Sequence, residues 1–336
     1  MGNFTKLYKT EKPAQKISIG ISDIAVFTPK NKMSINDMSS FSGIEKKILL
    51  KKIGVKNKTC LLGNVNPMKM AICAATELIN KNNLSPLEID CIIFASCGVS
   101  DKQLWSPAAK IQESIGAINA FSFEICNGCN SGNLAINIAR KILYLDSSKQ
   151  NVLIVVCDAL SRTVDHKNPN HLYVYNFSDG AAAILLKKGE KRNNLLSFFA
   201  KTNSKFVDHI YIPIPKKHIV ISENKEEDKD LSRMYKKMYI KVIRGALNNA
   251  GISVDRISHL FINQGDHYLI NYISRILKIP DYKIYKSCQE YGHMGNADIF
   301  FGFFERQKNG EIFPGDIIVL ASSAIGFSWG ATVIQA

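Results

Sequence analysis

The feature that most constrains this chain is a set of matching segments separated by nearly the same number of residues. Ala75-Thr76-Glu77-Leu78-Ile79, then Asn82-Asn83-Leu84-Ser85 and Ile89-Asp90-Cys91-Ile92-Ile93-Phe94, read as helix, turn and buried strand. Ile243-Arg244-Gly245-Ala246-Leu247-Asn248-Asn249-Ala250 followed by Ile257-Ser258-His259-Leu260-Phe261-Ile262 repeats that order about 168 residues later. Val152-Leu153-Ile154-Val155-Val156 and Ile317-Ile318-Val319-Leu320 recur at about 165, and Cys129 precedes His293 by 164. Any α/β chain alternates helix and strand; the shared offset is what points to two copies of one α/β unit. Packed about a pseudo-twofold axis, such copies bring equivalent helix starts face to face.

Cys129 lies at such a start. In Phe123-Glu124-Ile125-Cys126-Asn127-Gly128-Cys129-Asn130-Ser131-Gly132, a β-like run breaks at small residues and resumes with helical spacing. A turn at Gly128 and a helix opening near Asn130 would aim unpaired N–H groups at the sulfur, favouring thiolate over thiol. An activated cysteine needs a base, and His293 in Tyr291-Gly292-His293-Met294-Gly295-Asn296 precedes a second helix in the same way. His267, beside Asp266, is the alternative base, and His259 inside an apolar strand reads as core. Cys126 and Cys129 also satisfy C-x-x-C, but no second cysteine or histidine pair follows at zinc spacing, so no metal site is expected.

With 336 residues, 46% of them hydrophobic, the chain holds one large or two medium domains around a real core. No apolar run reaches a membrane span of about eighteen residues, and the Lys-rich first residues lack a secretory signal; a cytoplasmic location is expected. The eight cysteines lack disulfide-scaffold spacing and read mostly as buried thiols. A net charge of +14 favours acidic partners, but no aromatic-interleaved basic stripe stands out, and nucleic-acid binding is not expected.

Residues 1–16 read as a polar leader, 17–189 as a first half carrying the cysteine, and 190–336 as a second half carrying the histidine, with the charged stretch Lys187 to Asn194 as linker. The pattern predicts strands near 17–27, 89–96, 121–126, 152–157, 177–186, 257–263, 316–321 and 329–335. It predicts helices near 67–82, 107–116, 130–144, 229–250, 266–278 and 294–308.

Together these segments resemble the β-ketoacyl-acyl-carrier-protein synthase III branch of the thiolase superfamily. The resemblance runs from Gly54-Val55-Lys56-Asn57-Lys58 through Cys129 and Phe177-Ser178-Asp179-Gly180-Ala181-Ala182-Ala183 to Gly326-Phe327-Ser328-Trp329-Gly330. It implies an α/β fold with the duplicated, five-layer αβαβα arrangement, a homodimer, and a pantetheine thioester delivered to the cysteine by a carrier protein or coenzyme A, with no bound cofactor. The family's adenine-stacking tryptophan has no match between Glu45 and Lys58, which favours a carrier protein.

Condensing members carry a His-Gln-Ala-Asn motif and a later Gly-Asn, whose histidine and asparagine stabilise an enolate. Here the matching positions read Asn263-Gln264-Gly265-Asp266 and Gly292-His293, so the two residue types are exchanged. A set of synthase III-like acyltransferases of natural-product pathways also carries Gly-His, and this chain resembles them at Tyr291-Gly292-His293 and Asp298. The resemblance implies catalysis by Cys129 and His293, with Asp266 as the expected acidic partner of His293 and Asn263 as a second hydrogen-bonding residue. It implies an oxyanion hole from the backbone N–H groups of Cys129 and Ile325. The expected activity is transfer of an acyl group from acyl-Cys129 to an alcohol, amine or thiol, in secondary or lipid metabolism; the alternative is decarboxylative condensation with a malonyl thioester.

Overall fold

A computed structural model describes residues 17–63, 65–98, 102, 104–222 and 224–336, so the expected polar leader at 1–16 lies outside the described residues. Nine strands organise the chain: β1 (Ile19–Phe27), β2 (Cys91–Ser96), β3 (Phe121–Cys126), β4 (Asn151–Ala159), β5 (Asp179–Lys188), β6 (Asn194–Thr202), β7 (Ile257–Ile262), β8 (Ile317–Ala324) and β9 (Ser328–Gln335). The principal helices are α1 (Met68–Lys81), α2 (Pro107–Ile115), α3 (Ser131–Leu145), α4 (Lys225–Ala250), α5 (His267–Leu277) and α6 (Ala297–Lys308).

The strands follow the order β7-β8-β9-β6-β1-β5-β4-β2-β3. β6 and β1 meet through a single pair, Gly20 with Asn194, so the array is two sheets joined at a corner. Each repeats one pattern. β1–β5 and β4–β5 are antiparallel and β2–β4 parallel; β6–β9 and β8–β9 are antiparallel and β7–β8 parallel. The first sheet continues with β3, parallel to β2, and the second reduces that position to one parallel bridge between Leu260 and Ile284. The repeated offset in the sequence is thus a duplication of topology.

Burial explains the layers. Val152 to Val156 in β4 is wholly buried, as a strand covered on both faces must be. The outer face of the first sheet packs α1 and α2 through Ala71, Ala75, Leu78, Ala108 and Ile111. The second sheet's outer face packs α4 and α5 through Val242, Ile243, Leu269 and Ile273. Between the sheets lie α3 and α6, whose Ala135, Ile136, Ala139, Phe300 and Phe303 share a core with residues of both. The result is the five-layer αβαβα stack. α4 begins four residues before its expected start because Asn224 accepts from the Glu226 and Glu227 amides and acidic residues occupy the first turn. A short connection leads from the end of β5 at Lys188 to β6, which is unforeseen in the sequence and runs directly into the second sheet.

Candidate active site

The central helices α3 and α6 meet near their N-termini, and the cysteine and histidine stand there. Cys129 follows β3 and precedes the first residue of α3 by two positions. Gly128 makes the turn with φ +51°, and a Cβ on it would sit 2.7 Å from the Ala324 Cβ, so both conformation and space demand glycine. Ser131 closes the turn: its Oγ accepts from the Asn127 N–H at 2.6 Å and lies 2.7 Å from the Gly128 carbonyl.

His293 is fixed by the other half's chain. Its N–H donates to the Asn176 carbonyl at 2.8 Å, its carbonyl accepts from the Ser178 N–H at 2.9 Å, and the Phe177 ring meets the imidazole edge-on at 5.4 Å. His293 Nε2 faces Cys129 Sγ at 3.6 Å, while Nδ1 makes a very short contact with Asp298 Oδ2. Asp298 also accepts from the Gln264 N–H at 2.7 Å and the Met294 N–H at 2.8 Å. Cysteine, histidine and aspartate form one buried line.

The acidic partner of His293 is therefore Asp298, and the expectation for Asp266 is corrected. Asp266 is the N-cap of α5, its carboxylate accepting from the Tyr268 and Leu269 amides at 2.8 and 3.1 Å. The expectation for Asn263 is corrected too. Its Oδ1 accepts from the Ser323 N–H at 2.7 Å and the Tyr239 hydroxyl at 3.3 Å, and its Nδ2 donates to the Gly295 carbonyl at 3.1 Å, so both ends serve the scaffold and neither bonds His293. His267 lies against Gly54, away from the sulfur. The Ile325 nitrogen lies in the turn after β8, 3.5 Å from where a Gly128 Cβ would be, which brings that turn against the residue preceding Cys129. Among the described residues no cluster of metal-ligating side chains occurs, and the exposed Cys126 sulfur packs by Gly98.

Sequence reasoning missed Cys97, Asn296 and Asp158. Cys97 Sγ lies 3.2 Å from Cys129 Sγ. Asn296 reaches across the halves: its Nδ2 donates to the Gly128 carbonyl at 3.0 Å and to Asp158 at 2.9 Å, and its Oδ1 accepts from the Gly132 N–H at 2.9 Å. Asp158 also accepts from the Cys97 N–H at 2.7 Å. The only sequence signal for this set was position, at strand ends and helix starts where α/β sites assemble.

The electrostatics suit a thiolate. The Cys97 thiol, as hydrogen-bond partner, and then the charge of His293 lower the Cys129 pKa to about 7 against the opposing effect of burial. Burial alone would lower the His293 pKa, but Asp298 and then Cys129 outweigh it and hold the imidazole well above its ordinary value. These contacts hold Cys129 toward thiolate and His293 toward imidazolium.

Comparison with known proteins places this arrangement. Residues 123–204 match the model for 3-oxoacyl-[acyl-carrier-protein (ACP)] synthase III and residues 247–336 match its C-terminal model, together just over half of the chain. The chain belongs to the 3-oxoacyl-[acyl-carrier-protein] synthase III family. Among relatives of this synthase III-like protein, the β-ketoacyl-[acyl-carrier-protein] synthase III of Lactococcus lactis is 26% identical over 333 residues, covering 94% of this chain and 98% of the relative. The crystal structure of the 3-oxoacyl-[acyl-carrier-protein] synthase III of Aquifex aeolicus superposes with a TM-score of 0.85 at 25% identity, covering 95% of this chain and all of the other. OleA of Xanthomonas campestris, at 16% identity and a TM-score of 0.85 over 95% of this chain and 99% of the other, shares the fold. The thiolase-like fold and a synthase III-like enzyme of the acyl-transferring class are established; among the described residues, no helix is long and apolar enough to cross a membrane.

Proposed function

We propose that this protein is an acyltransferase that loads an acyl group onto Cys129 from a pantetheine thioester and passes it to an alcohol, amine or thiol. The observation that carries the reading is the line from Asp298 through His293 to Cys129. The Cys129 thiolate attacks the thioester carbonyl, and the oxyanion is met by the Cys129 and Ile325 amides. As the intermediate collapses, the pantetheine sulfur leaves with the proton of His293. Neutral His293 then takes a proton from the acceptor as it attacks acyl-Cys129, and release of the thiolate restores the ion pair. Asp298 keeps the Nδ1 proton in place and favours the imidazolium at each return.

Condensation asks for two neutral donors around an enolate oxygen. Asn263, where condensing members carry histidine, gives one N–H to Gly295 and its carbonyl to Ser323 and Tyr239, and His293 is held by Asp298 toward the charged form and not as a neutral donor. That favours transfer. The names of the matched relatives, which are synthases, favour the second reading, decarboxylative condensation with a malonyl thioester.

A carrier protein suits the +14 charge as donor. A homodimer suits β3, an edge strand that among the described residues pairs with β2 alone and exposes Phe121. The deciding experiment is intact-protein mass spectrometry of the acylated enzyme, with Cys129→Ala as control. Loss of the adduct to a nucleophilic acceptor supports transfer. Loss only with malonyl-carrier protein and carbon dioxide release establishes condensation, and no adduct on the wild type refutes both.

A further inference from the structure

Cys97 carries no acyl group and moves no proton in the acyl-transfer steps, yet its sulfur is in contact with the nucleophile. It follows β2 directly, and Cys129 follows β3; these strands are parallel neighbours paired up to Ser96 and Cys126, so the two thiols emerge side by side from the same end of the sheet. The Cys97 backbone is held by Asp158 through its N–H, and the Asn296 amide lies 3.6 Å from its sulfur. The 3.2 Å between the sulfurs must close by about 1.2 Å to reach a disulfide bond of about 2.0 Å.

We propose that Cys97 is a resolving thiol that converts hydroperoxide-oxidised Cys129 into a reversible Cys97–Cys129 disulfide. The Cys129 thiolate attacks the distal oxygen of a hydroperoxide, breaking the O–O bond; the peroxide's other oxygen leaves as water or alcohol once protonated, and Cys129 becomes a sulfenic acid. The Cys97 sulfur then attacks Cys129 sulfur, its proton departing with the sulfenic oxygen as water. Two thiols have lost two electrons and two protons, and the peroxide has taken up both.

The two sulfurs are unequal in the sense this chemistry requires. Cys129 is the one held toward thiolate, and the half-buried Cys97, through its hydrogen bond with Cys129 and then desolvation, is held protonated with its pKa well above the ordinary value. Cys129 therefore meets the oxidant first. Without a neighbour, a sulfenic acid proceeds to the irreversible sulfinic acid; with Cys97 in contact, the disulfide forms first. An acyl group on Cys129 blocks both routes, so only the idle enzyme enters the protected state. The inference rests on the reactive Cys129 thiol assigned above and not on what accepts the acyl group.

The test treats the full chain with hydrogen peroxide, maps peptides without reduction, and measures iodoacetamide labelling of Cys129 before and after dithiothreitol. The wild type is expected to yield a peptide linking Cys97 to Cys129, to lose labelling, and to regain it on reduction. In Cys97→Ser and Cys97→Ala, Cys129 is expected to gain two oxygens, with recovery at least about fivefold lower. Cys126→Ser, removing the next nearest exposed thiol, should keep the linkage. Sulfinic acid on wild-type Cys129 without the linkage, equal recovery in all variants, or no peroxide reaction at Cys129 would each overturn the proposal. Because labelling uses no acyl substrate, failure of the acyl-transfer reading leaves this result interpretable.

Discussion

Replacing Asp298 with asparagine removes a charge and keeps the shape. In the native site the carboxylate faces the imidazolium while receiving the Gln264 and Met294 amides. Two unit charges about 4 Å apart at an effective dielectric near 20 attract by about 4 kcal/mol. At about 1.4 kcal/mol per tenfold, that is a ceiling of about 10³ on the rate of forming acyl-Cys129. The asparagine oxygen retains part of the hydrogen bond, so a fall of about 10²–10³ is expected. Whichever way its amide turns, an NH₂ group faces a backbone N–H, at a cost of about 1–3 kcal/mol in stability. The sign of the pH effect follows from the same contacts. Asp298 raises the His293 pKa, so its loss lowers it; a less charged His293 lowers the Cys129 pKa less, and the thiol titrates above its native value of about 7. The assay is the rate of Cys129 alkylation and acylation from pH 5 to 10, whose midpoint should move upward in Asp298→Asn. A rate within about threefold of the wild type with an unmoved midpoint would refute the relay.

Three further outcomes are expected. Cys97→Ala removes the largest influence lowering the Cys129 pKa, so the midpoint of the same alkylation profile should rise above about 7; an unmoved or lowered midpoint contradicts the hydrogen bond. Gly128→Ala places a Cβ 2.7 Å from Ala324 in a left-handed turn and should destabilise by about 2–4 kcal/mol in denaturant unfolding, with acylation lost. Asp266→Ala removes a helix cap and should lower stability by about 1 kcal/mol while leaving the alkylation profile in place; a shifted profile would restore Asp266 to the site.

The fold was legible because duplication writes itself twice. Matching helix–strand pairs at one offset gave the pseudo-symmetry, which in turn put Cys129 opposite His293 without any local motif joining them. The partner of His293 was missed for a local reason. The helix was expected to start at 294, but Gly295 at φ +62° inserts a turn and α6 begins at Ala297, which folds Asp298 back beneath the imidazole with the Met294 amide closing the loop. Asp266 misled because an aspartate at a helix start is equally what a cap requires. Cys97 was invisible because its contact with a residue 32 positions away depends on which strands are neighbours, a property of the sheet that no window of sequence contains.

Asn296 gives the molecule a mechanical character. One side chain from the second copy grips both the carbonyl before the nucleophile and the Gly132 amide in the first turn of its helix. With the backbone bonds of His293 to Asn176 and Ser178, it acts as a rivet through the seam between the copies that registers sulfur against imidazole. Chemistry should consequently fail before structure does: loosening the seam by an ångström, through heat, denaturant or a poorly fitting ligand, would silence the enzyme while both sheets remain intact.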